Sequence, residues 1–99
     1  MKTELRRYMS QVADLGCVVC RRIHGPHDPG PVELHHPRAG VGMARRSSEW
    51  DVVQLCVAHH RGKAGVHGLG TKGFPAYYGF TEADLLADVR ALIKDPREQ

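Results

Sequence analysis

Residues 51–63 read DVVQLCVAHHRGK, and the change of character inside this stretch decides the fold. Its first five residues, rich in branched aliphatic side chains, read as a short strand. From Cys56 the stretch CVAHHRGK reads as a short helix, cut off by Gly65 and Gly68. Upstream, residues 31–35 (PVELH) supply a second short strand, joined to the first by a connection containing Gly and Arg. The spacing predicts a β-hairpin followed by a helix: strand, loop, strand, helix. Farther out, Leu5, Tyr8, Met9, Val12 and Leu15 recur at three- and four-residue steps before Gly16, which predicts a helix over 3–15. At the other end Thr81 with Asp84 has the form of a capping box, and Leu85, Leu86, Val89, Leu92 and Ile93 make the apolar stripe of a helix over 82–94. Both helices are expected to be packing elements around a chemically loaded middle, 17–79.

With 99 residues, the chain suffices for one domain, expected to span 1–99, and its apolar core must be thin. Hydrophobic residues make up 41%, while 11 Gly and 6 Pro commit much of the backbone to turns. Domains this small are commonly held by disulfides or a metal, and three Cys beside seven His favour metal. The first ten residues lack the apolar run of a secretory signal, and no apolar stretch is long enough to span a membrane. The expected setting is therefore cytoplasmic. Fourteen Lys and Arg against 11 Asp and Glu give +3, a sign that suits a polyanion without identifying one.

Site chemistry is more informative. CVVC at 17–20 and CVAH at 56–59 are two pairs with two-residue gaps, the spacing that lets both side chains of a tight turn or helix start reach one ion. Cys17, Cys20, Cys56 and His59 are thus expected to hold a structural Zn²⁺ that ties the end of the first helix to the start of the central one. Two His pairs, His35–His36 and His59–His60, carry a second message. Neighbours on a strand point to opposite faces, so His35 and His36 must do different work. Neighbours on a helix diverge by about 100°, so His59 can serve the zinc while His60 faces the hairpin. A second, open site is expected there.

The C-x-x-C knuckle, the E-x-H-H strand and the L-C-x-x-H-H helix start resemble those of the HNH endonucleases, and HHPRAGVG, QLCVAHHRG and GVHGLGTKGF resemble the phage Ref-like branch of RecA-dependent recombination nucleases. The resemblance implies an α+β fold, a ββα-metal finger in a zinc-stapled treble-clef frame flanked by the terminal helices. It implies a divalent-metal-dependent DNA endonuclease, with Mg²⁺ or Mn²⁺ as catalytic ion and a RecA filament as a partner beside DNA. Carried over residue by residue, His35 and His60 become ligands of that ion, His67 a third, and His36 the general base. Products would carry a 5′ phosphate and a 3′ hydroxyl. The chain departs from the HNH pattern in having no Asn, and Asp51 lies nearest the missing position. A noncatalytic zinc-containing DNA-binding module is the alternative reading.

Arg38, Arg45, Arg46, Arg61, Lys63 and Lys72 surround the site in sequence and are candidates for contact with backbone phosphates. Trp50, Phe74, Tyr77, Tyr78 and Phe80 are read as core rather than as base-stacking residues.

Overall fold

A computed structural model describes residues 2–26, 30–37 and 49–94. Among them, five helices and one two-stranded sheet follow the order α1 (Lys2–Asp14), α2 (Val18–His24), β1 (Glu33–His35), β2 (Val53–Leu55), α3 (Val57–His60), α4 (Val66–Tyr78) and α5 (Glu82–Leu92). The expected α+β class and the strand, strand, helix order are present. No helix among the described residues is long and apolar enough to cross a membrane.

The stripe of α1 is buried at Tyr8 and Val12, and the chain leaves the helix through Gly16, whose φ of 78° lies in the region that favours glycine. α5 begins with a reciprocal cap. The Asp84 amide donates to Thr81 Oγ1 at 3.0 Å and the Thr81 amide donates to Asp84 Oδ2 at 2.8 Å. That backbone bond holds the Asp84 carboxyl below its ordinary range. The α5 stripe then buries Leu85, Leu86 and Val89.

Strands β1 and β2 pair antiparallel, with Glu33 opposite Leu55, Leu34 opposite Gln54 and His35 opposite Val53. Strand alternation therefore sets Glu33 and His35 on one face and Leu34 on the other. Helices α2 and α5 pack on β2, and α1 packs on both strands. All three residues of β2 are buried.

Two helices go beyond the sequence reading. α2 is capped by Cys17, whose Sγ accepts from the Cys20 amide at 3.5 Å, and its Val18 and Val19 are buried. α4 occupies the glycine-rich stretch expected to be turns. It is two short helices meeting at Gly70, where φ is 80°, and it ends at Gly79 in the left-handed conformation. Of the aromatic residues read as core, Trp50 and Phe74 are buried, and Trp50 lies against Tyr8 with ring centroids 5.5 Å apart. Tyr77 is a correction: it is 66% exposed, on the outer side of α4.

Gln54 sits fully buried on β2, and among the described residues neither its Nε2 nor its Oε1 has a hydrogen-bond partner. A buried amide without a partner costs about 1–3 kcal/mol in proteins. Gln54→Met keeps the length of the side chain and removes both polar atoms. It is expected to raise the unfolding free energy by about 1 kcal/mol, a gain of several degrees in Tm for a domain this size. A thermal melt of the zinc-loaded variant that matches or falls below wild type would contradict this.

Candidate functional site

The first cluster is built from two helix starts. α2 brings Cys17 and Cys20, one turn apart, and the β2–α3 junction brings Cys56 and His59. His59 Nδ1 lies 3.5 Å from Cys17 Sγ, 3.4 Å from Cys20 Sγ and 3.2 Å from Cys56 Sγ. Zinc bonds of about 2.3 Å to sulfur and 2.1 Å to nitrogen, at the tetrahedral angle, separate S from N by about 3.6 Å. The donor set and its spacing fit that ion. All three cysteines are free thiols. Burial and the adjacent Cys17 and Cys56 sulfurs push the Cys20 thiol up to about 12, so a Cys20 thiolate here calls for a compensating cation. Burial, aided by His24, lowers the His59 pKa and favours the neutral imidazole that a metal needs. Tyr78 of α4 covers the cluster, its ring centroid 6.0 Å from that of His59. Burial, followed by Tyr77 and the three cysteines, raises the Tyr78 phenol.

The second cluster stands beside the first, because His59 and His60 are consecutive on α3. His35 from β1, His60 from α3 and His67 from α4 each offer a ring nitrogen within 4.8 Å of the others. Ring centroids are 5.2 Å apart for His35 and His60, 5.1 Å for His35 and His67, and 4.7 Å for His60 and His67. The Nε2 atoms of His60 and His67 are 3.1 Å apart, within the roughly 3.0–3.4 Å expected of two imidazoles on one divalent ion with bonds of about 2.1 Å. His35 is buried, His60 half-buried and His67 exposed, so the cluster has a closed back and an open front.

What brings His67 there is backbone crowding that only glycine permits. A Cβ on Gly68 would lie 2.2 Å from the Gly62 carbonyl oxygen, and one on Gly65 would lie 2.7 Å from the His59 carbonyl carbon. The start of α4 thus sits directly on the end of α3.

His36 follows β1 and is not one of the three clustered rings. It is exposed, and its Nε2 lies 3.3 Å from the Glu49 carbonyl oxygen, an interaction in which the ring donates. Asp51, nearest in sequence to the missing Asn, forms an ion pair with Arg90 of α5, and the Glu49 main-chain carbonyl accepts from His36.

Two carboxylates to which the sequence reading gave no role stand behind the second cluster. Glu82, at the first position of α5 and only 3% exposed, accepts from His35 Nε2 at 2.7 Å. Glu33 accepts from His60 Nδ1 at 2.7 Å and from Arg61 at 3.0 and 2.6 Å. Arg61, then His60, hold the Glu33 carboxyl below its ordinary range, and Glu33 in turn raises Arg61. Arg61, expected to face phosphate, is therefore already paired within the chain. Lys63 and Lys72 are exposed. Arg38, Arg45 and Arg46 lie outside the described residues.

A family model described as recombination enhancement, RecA-dependent nuclease matches residues 2–93. No curated protein and no solved structure matches the chain.

Proposed function

The chain belongs to the RecA-dependent nuclease family of recombination enhancement, and from that premise we propose that it is a divalent-metal-dependent DNA endonuclease of the HNH type, built on a treble-clef zinc frame. The observation that carries this reading is the convergence of His35, His60 and His67, from three different elements, on one cluster of ring nitrogens.

Cys17, Cys20, Cys56 and His59 would hold the structural zinc, and His35, His60 and His67 would hold Mg²⁺ or Mn²⁺. When bound, that second ion supplies positive charge to the scissile phosphate and the departing oxygen. The remaining chemistry belongs to the chain. The Glu49 carbonyl keeps a proton on His36 Nε2, which leaves the lone pair on Nδ1. That nitrogen takes the proton of the water attacking phosphorus, the departing 3′ oxygen takes a proton from solvent water, and cleavage leaves a 5′ phosphate and a 3′ hydroxyl. Lys63 and Lys72, exposed near the open front in sequence, would meet backbone phosphates and so hold DNA without reading its bases.

A noncatalytic zinc-containing DNA-binding module is favoured by one observation: the chain has no Asn. Incubation of the zinc-loaded protein with supercoiled plasmid, with Mg²⁺ or Mn²⁺ and with or without a RecA filament on a homologous single strand, separates the two. Nicked or linear product that disappears with EDTA and carries 5′ phosphate ends is expected. Salt-dependent DNA binding with no cleavage under any of these conditions leaves only the module.

A further inference from the structure

The two carboxylates are placed behind two different rings of one cluster. Glu82 arrives from α5, far along the chain, and is buried with His35 at side-chain exposures of 3% and 4%. Glu33 shares a strand face with His35, reaches across to α3, and is braced by Arg61. Burying a carboxylate is costly unless it is fully engaged, so the Glu82–His35 pair calls for an explanation that packing alone does not give. An imidazole has one lone pair when neutral, and the nitrogen that donates to a carboxylate forces that lone pair onto the other nitrogen. Donation from His60 Nδ1 to Glu33 leaves the lone pair on Nε2, the atom that stands 3.1 Å from His67 Nε2. Donation from His35 Nε2 to Glu82 leaves it on Nδ1.

We propose that Glu82 and Glu33 are positioning residues which impose the ring tautomers of His35 and His60 and lend them negative charge, so that the histidine cluster is ready for a hard divalent cation before one arrives. This rests on the metal-dependent reading above. Carboxylates behind ligating imidazoles orient the rings and raise their basicity, and their loss typically weakens metal binding 10- to 100-fold. The two differ in kind. Glu82 is locked in the interior by its place at the start of α5, whereas Glu33 depends on the Arg61 guanidinium at the surface.

The test uses the full, zinc-loaded chain labelled with ¹⁵N-histidine. Long-range ¹H–¹⁵N spectra without added Mn²⁺ are expected to show the His35 proton on Nε2 and the His60 proton on Nδ1. Glu82→Gln and Glu33→Gln present a donor as readily as an acceptor, so each is expected to mix the tautomers of its own histidine. Each should also weaken Mn²⁺ binding, followed by the free-ion electron-spin-resonance signal, by about 10- to 100-fold with zinc content unchanged. The opposite tautomer at either ring in wild type, or Mn²⁺ affinity within about twofold of wild type in both variants, overturns the proposal. If Glu82→Gln fails to fold, the wild-type spectra and the partly exposed Glu33 variant decide it. A wild type that shows the stated tautomers but neither binds Mn²⁺ nor cuts DNA refutes the nuclease reading and with it readiness for a cation, whereas wrong tautomers in a protein that cuts refute the positioning alone.

Discussion

Cys56→Ser is expected to leave the chain largely unfolded at 25 °C, and EDTA or a stronger chelator should do the same to wild type. The described core is small: its largest fully buried side chains are Tyr8, Phe74, Leu55, Leu85 and Gln54, and the last of these is polar and unpartnered. A domain of this size has about 5–15 kcal/mol of net stability to lose. Structural zinc in small domains contributes on the order of 10 kcal/mol, almost all of it as folding free energy. Here the four candidate donors come from two segments, 17–20 and 56–59, so an ion held by them would close a long loop as well as engage three thiols. Serine removes one sulfur donor and leaves the remaining thiols crowded without full compensation. Far-ultraviolet circular dichroism and zinc content by mass spectrometry check this together. A Cys56→Ser protein that melts alongside wild type, or a zinc-free wild type that keeps its cooperative transition, would show that the apolar core suffices.

His36→Ala is expected to lower metal-dependent nicking by about 10²- to 10⁴-fold, the usual worth of a positioned general base, while leaving Tm, zinc content and Mn²⁺ affinity near wild type. The separation follows from position. His36 is exposed, donates to the Glu49 carbonyl, and stands apart from the three rings that would hold the second ion. Its removal therefore subtracts a proton acceptor without touching either ligand set. Supercoiled-plasmid nicking rates under saturating Mn²⁺ measure the effect, with DNA affinity followed in parallel in Ca²⁺. Nicking within tenfold of wild type would remove His36 from the base role and turn attention to another proton acceptor.

Much of this arrangement was legible in the chain because its signals are local. The C-x-x-C and C-x-x-H pairs define their cluster by spacing alone, and the stripes of α1 and α5 repeat long enough to show a period. The capping box at Thr81 and Asp84 reads directly. α2 was missed because seven residues hold too few turns for a period, and its two adjacent valines read equally well as extended chain. α4 was missed because Gly68, Gly70, Gly73 and Pro75 are breakers by propensity, while tertiary seating on α3 requires glycine at 65 and 68. The same glycines left the direction of His67 open in the sequence. Glu82 carried only the mark of an acidic first helical turn, and nothing local says that it lies beneath a histidine 47 positions away. The Glu49 carbonyl that serves His36 has no side-chain signature at all.

α3 is four residues long and carries a donor of each cluster on consecutive positions, His59 facing the sulfurs and His60 facing the other imidazoles. A displacement of this short helix moves the backbone of both residues together. If both centres bind metal, any coupling that α3 carries between them is reciprocal, each changing the affinity of the other by the same factor. Under the proposed reading, occupancy of the sulfur-lined centre would then bear on how readily the imidazole-lined one fills.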